Sequence, residues 1–144
     1  MGRIAKNIII FKGKYTNSDA CEKVINYALQ HSDTSPVGGS AIFPIESDTA
    51  IHQFQLVKEK YNKTSGRQVL HVCLSYPDHL KKSRQTVIKD AERMSYRIGS
   101  EFQNVYGIHE NTNHIHAHFV INSVSYKTGK KITSEHLHEL LKYM

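Results

Sequence analysis

The chain predicts an α+β fold, with a central, largely antiparallel sheet carrying helices on its faces. Three observations lead there. The stretches Gln68–Tyr76 and His114–Val124 alternate apolar and polar residues with the period of two expected of strands. Other stretches repeat apolar residues at helical spacing behind a Ser, Thr or Asp. Strands and helices then follow one another without the steady βα repeat of a parallel sheet.

Taken in order, Ile4–Phe11 is an isoleucine-rich first strand. Ser18 or Asp19 caps a helix to about Gln30, whose apolar face is Ala20, Val24, Ile25, Ala28 and Leu29. Ser35-Pro36-Val37-Gly38-Gly39-Ser40 reads as a loop, followed by a short strand at Ala41–Pro44. Asp48 or Thr49 opens a second helix to about Lys60. In Gln68–Tyr76, Val69, His71, Cys73 and Ser75 fall on one face, and Leu70, Val72, Leu74 and Tyr76 on the other. After Pro77, a long helix is expected over Ser83–Gln103, then strands at Val105–His109 and His114–Val124 joined by the turn Glu110–Asn113. Tyr126–Lys130 is a second turn, and Ser134–Tyr143 a terminal helix with Ser134 as its cap.

A chain of 144 residues fits one domain, 1–144, with enough length for a substantial core. No apolar run approaches the roughly 20 residues of a membrane span. Nothing at the N-terminus has the pattern of a signal peptide, and no membrane partner is expected. Cys21 and Cys73 lack metal-type or disulfide-framework spacing, which suits reduced thiols in a cytoplasmic protein. The formal net charge of +6 suits a polyanion, with nucleic acid the obvious candidate.

The densest chemistry lies in His109-Glu110-Asn111-Thr112-Asn113-His114-Ile115-His116-Ala117-His118, which holds four of the ten histidines. On a strand, His114, His116 and His118 share one face, while Ile115, Ala117, Phe119 and Ile121 face a core. Imidazoles at i and i+2 stand about 7 Å apart at their backbones, close enough to lean onto one divalent ion. His109 is placed to add a third ligand from a neighbouring strand. A solvated histidine face and a structural zinc site compete with this reading. Structural zinc, however, usually closes with four ligands and favours cysteine. Three imidazoles leave a position open for water or substrate.

These segments resemble a known family. His109, His114-Ile115-His116-Ala117-His118-Phe119-Val120-Ile121-Asn122 and Thr128-Gly129-Lys130 together look like the third motif of the relaxases. Relaxases are the mobilization nucleases that initiate transfer of plasmids and conjugative elements. They fall within the wider class of histidine–hydrophobic–histidine single-strand DNA endonucleases. Ile25-Asn26-Tyr27-Ala28 resembles the motif carrying the nucleophilic tyrosine, and Gln68–Tyr76 resembles the second motif, a strand ending in a serine near the substrate. The resemblance implies a ferredoxin- or palm-like sheet with the metal-bearing strands at its centre. It also implies His109, His116 and His118 as the metal ligands. His114 takes a supporting or DNA-side role, and His71 either lines the metal face or fills a core position. Ser75, Lys127 and Lys130 are the expected DNA contacts. The implied cofactor is a divalent ion, Mn2+ or Mg2+ first, with Zn2+ compatible. The implied partners are single-stranded DNA at an origin of transfer and accessory mobilization proteins.

One departure is visible. Where the family commonly has aspartate two places after the first histidine, this chain has Asn111, which can hydrogen-bond a ligand imidazole but lacks the charge that raises its basicity. Glu110 is the neighbouring group that would compensate. Relaxase domains usually continue past the third motif, so a shortened C-terminus is expected here.

The implied reaction is transesterification: Tyr27 attacks a phosphodiester, leaving a 5′-phosphotyrosyl adduct and a free 3′-hydroxyl. Tyr15 is the rival nucleophile. Tyr76 and Tyr106 follow strand patterns and suit packing or base stacking. A rolling-circle replication or transposition endonuclease of the same class, and a non-catalytic single-stranded-DNA-binding remnant, remain as alternatives.

Overall fold

The computed structural model describes residues 7–11, 13–29, 36–77, 79–80, 82–110 and 114–142. Five strands make one sheet in the order β1-β3-β5-β4-β2, and every pairing is antiparallel. The strands are β1 (Asn7–Ile10), β2 (Val37–Ser40), β3 (Val69–Ser75), β4 (Asn104–His109) and β5 (His116–Asn122). The helices are α1 (Ala20–Leu29), α2 (Ser47–Lys60), α3 (Arg84–Ile98) and α4 (Ser134–Leu140).

The alternation along β3 and β5 divides the core into two layers. Leu70, Val72, Leu74, Ala117, Phe119 and Ile121 pack with Val87, Ala91, Met94, Ile98 and Leu137 of α3 and α4. Val69, Val105 and Val120 face the other way, onto Val24, Ile25 and Ala28 of α1 and Ala50 and Phe54 of α2. The central strand β5 and its neighbour β3 are therefore covered on both sides. On the α1 face of these strands His71, His118 and Asn122 are buried, while Ser75 and His116 at one end stay partly exposed.

Several boundaries depart from the sequence expectation. The glycine-rich segment is itself an edge strand, and it ends where Ala41 takes a φ of 59°. It lies so close to β4 that a Cβ on Gly38 would stand 2.4 Å from the Tyr106 hydroxyl, and one on Gly39 2.5 Å from the Asn104 carbonyl. The glycines that suggest a loop are what allow the approach. Helix α3 is capped by Ser83, whose side chain accepts from the Thr86 N–H, and runs from Arg84 to Ile98 rather than to Gln103. Beyond Gly99 the chain turns Phe102 into the core. Strand β5 starts at His116, so His114 precedes it rather than sharing its face. The cap of α4 is Thr133, which accepts from the His136 N–H at 3.0 Å; Ser134 is the first helical residue. Asn111 and the N-terminal part of the expected first strand lie outside the described residues.

Candidate metal centre and nucleophile

Antiparallel register assembles the histidines. His109 stands opposite His116, Gly107 opposite His118, and Cys73 opposite His118 from the other side. Partners in register share a face, so His71, Cys73, His109, His116 and His118 all project from the α1 side. His109, His116 and His118 each offer a ring nitrogen within 4.8 Å of the others. Two nitrogens on one ion at about 2.1 Å can be at most about 4.2 Å apart, so a small ring movement closes the set on a single ion. Among the described residues, the donor set thus fits a divalent metal held by three imidazoles, one fewer than closes a tetrahedral site.

The remaining ring contacts are ordered. His109 Nε2 lies 3.4 Å from the Ala28 carbonyl, and His116 Nδ1 lies 3.1 Å from the His114 carbonyl. His118 Nδ1 lies 2.9 Å from His71 Nε2. His114 therefore touches the group through its backbone. His71 is buried beneath Phe11, whose ring stacks on it at 4.2 Å, and burial pushes the His71 pKa down to about 4. Burial also raises the Cys73 thiol to about 11, keeping it protonated at neutral pH.

Two tyrosines reach this face. Tyr27, on α1 next to the buried Ala28, is 51% exposed, so it is no core aromatic. Its ring centroid lies 5.2 Å from that of His118, 5.5 Å from His109 and 5.9 Å from His71. Tyr15, in the loop before α1, places its hydroxyl 3.3 Å from His71 Nδ1. Burial raises the Tyr15 pKa, with Arg67 pulling it partly back.

Other residues singled out in the sequence fall elsewhere. Glu110 is exposed and accepts from Arg84 Nε at 3.0 Å on both oxygens, at the start of α3. Alternation turns it away from His109. Ser75, half-buried, ends β3 on the histidine face. Lys127 and Lys130 are exposed in the turn beyond Asn122, at the opposite end of β5. Six residues of strand put Asn122 about 20 Å from His116, and both lysines follow Asn122 in the chain. Tyr76 donates to Asp90 from within the α3-side core, and Tyr106 packs at 5.1 Å on Phe119, so both are packing residues rather than stacking platforms. Phe11 is the neighbour that sequence reasoning missed. Only the pairing of β1 with β3 brings it over His71.

Protein rlx of Staphylococcus aureus is 26% identical over 121 residues, covering 84% of this chain. The chain spans about a third, 35%, of that relative's length. No solved structure matches. A family model, described as the relaxase MobA/VirD2-like nuclease domain, matches residues 27–143. That match opens on Tyr27 and takes in all three histidines, and over so much of its length the chain belongs to the MobA/VirD2-like relaxase nuclease family.

Proposed function

We propose that this chain is a metal-dependent nuclease domain that nicks one DNA strand at an origin of transfer, through a covalent tyrosine adduct, to begin mobilization of a plasmid or conjugative element. The observation that carries the reading is the Tyr27 ring set against His109 and His118, in a group of three imidazoles able to close on one ion. A divalent ion held by His109, His116 and His118 would supply Lewis-acid polarisation of the scissile phosphate. Mn2+ and Mg2+ are favoured by the family, and Zn2+ also suits imidazole ligands.

The chain's own residues do the rest. Helix α1 holds Tyr27 at the histidines through the burial of Val24, Ile25 and Ala28, so the phenol is positioned without being enclosed. A phenol ionises at about pH 10, so the nucleophile needs its charge stabilised as it develops. Tyr27 Oη forms the new bond to phosphorus, and the bond from phosphorus to the 3′ oxygen breaks. The phenolic proton is lost and the 3′ oxygen gains one. Phosphorus remains a diester, so the step is reversible and the ends can be rejoined. Ser75, which ends β3 beside the histidines, would touch the strand there. Lys127 and Lys130 are too distant for the scissile phosphate and contribute to the general positive field. Accessory mobilization proteins and a cytoplasmic setting accompany this reading.

Covalent trapping tests it. Single-stranded fragments of the host element's transfer origin, incubated with the protein and Mn2+, should give a protein–DNA band on a denaturing gel. Tyr27→Phe should lose the band, and His116→Ala should lose it while keeping the wild-type circular-dichroism spectrum. A band that survives in Tyr27→Phe moves the nucleophile to Tyr15. No band with any protein, despite DNA binding, rejects the nuclease reading.

A further inference from the structure

We infer that His71 is a positioning residue for His118, and that Tyr15 sets the orientation of His71; this rests on reading the three-histidine group as a metal site. The basis is a continuous chain of side chains: Tyr15 Oη lies 3.3 Å from His71 Nδ1, and His71 Nε2 lies 2.9 Å from His118 Nδ1.

A neutral imidazole has one N–H donor and one acceptor nitrogen, so a chain of two imidazoles has only two consistent proton arrangements. In the first, Tyr15 donates to His71 Nδ1, His71 Nε2–H donates to His118 Nδ1, and His118 carries its own proton on Nε2. That proton occupies the lone pair a metal needs. In the second, His118 Nδ1–H donates to His71 Nε2, His71 Nδ1–H donates to the Tyr15 oxygen, and His118 Nε2 presents a lone pair. Metal ligation through Nε2 selects the second. His71 then does for His118 what a carboxylate or carbonyl commonly does for a ligand imidazole: it fixes tautomer and ring orientation.

The surroundings suit that task. His71 sits on β3 within a buried run, under the stacked ring of Phe11. Tyr15 is anchored by its backbone, whose carbonyl accepts from the Gln68 N–H at 2.8 Å, at the foot of the same strand. The ring nitrogens of His109 and His116 contact backbone carbonyls, whereas His118 meets a side chain. Its orientation is therefore open to substitution.

The test measures Mn2+ affinity by calorimetry, and the visible spectrum of the Co2+-loaded protein, on the full chain without DNA. His71→Phe should weaken Mn2+ binding by roughly 10- to 100-fold and alter the Co2+ spectrum. His71→Gln, whose amide oxygen can accept from His118, should recover most of the affinity. Tyr15→Phe should fall in the same direction by a smaller factor, which keeps the idea testable should His71→Phe fail to fold. Wild-type affinity in folded His71→Phe, or in Tyr15→Phe and His71→Gln together with an unchanged spectrum, would overturn the inference. Loss in His71→Gln as complete as in His116→Ala would make His71 a ligand and overturn it as well. A wild-type protein that binds no Mn2+ or Co2+ would instead reject the metal site itself, and this inference with it.

Discussion

At the scale of single residues, this fold keeps two polar constructions on the α1 side of β5, one at each end. The histidine group lies at the His116 end. At the Asn122 end, Lys58 of α2 is completely buried and donates to the Gln68 carbonyl at 2.7 Å, to Asn122 Oδ1 and to Ser123 Oγ at 3.3 Å. Asn122 in turn donates to the Phe54 carbonyl and to Gln103 Oε1. Burial lowers the Lys58 pKa to about 8; Cys21 raises it somewhat and Lys131 adds to the fall. The unfolded lysine keeps its proton to about pH 10.5, so between the two values the unfolded chain binds more protons and stability rises with pH. Against Lys58→Met, which cannot titrate, the wild type should gain up to about 3 kcal/mol between about pH 7.5 and pH 10.5 in denaturant titrations. Parallel pH profiles would show that Lys58 titrates normally. The contrast with the histidines is instructive. Spacing marks the histidine-rich segment and the family resemblance picks His109, His116 and His118 from it, whereas Lys58 looks like any basic residue of an exposed helix end until tertiary packing buries it.

At the scale of elements, ends rather than centres separate expectation from outcome. The apolar face of α1 is as read, because burial of Val24, Ile25 and Ala28 follows the helical repeat. The start of α4 is not, because Thr133 and Ser134 are chemically equivalent caps and only backbone geometry chooses between them. Thr133 has the extended conformation and accepts from the His136 N–H. Thr133→Ala should therefore cost about 1 kcal/mol, seen as a lower urea midpoint at unchanged slope, while Ser134→Ala should stay within about 0.5 kcal/mol. The reverse order would restore the sequence expectation. Strand β2 shows the same limit from the other side. Gly38 and Gly39 favour a loop locally, yet the ladder with β4 and the approach to Tyr106 make them a strand.

At the scale of the whole molecule, the net charge of +6 suits a polyanionic strand, which on the proposed function would lie beside the half-exposed Tyr27. Each phosphate neutralised contributes a slope of about 0.7 in log affinity against log salt for single strands. With about three phosphates neutralised, affinity for a transfer-origin oligonucleotide should therefore drop roughly tenfold or more between about 50 and about 200 mM salt. A flat dependence would leave the positive field without a role in binding.

Taken alone, the sequence determined the α+β class, the two alternating strands and the histidine-rich segment, because period-two alternation and residue spacing are local properties of the chain. Helical spacing also placed Tyr27 on the first helix, and a resemblance in motif marked it as the candidate nucleophile. The tertiary structure decided which groups meet. Sheet order set β3 between β1 and β5, bringing Phe11 and His71 to His118, and strand direction carried Lys127 and Lys130 away from it. Pairing between distant segments depends on register and layer packing summed over the whole sheet, and no window of sequence contains that sum.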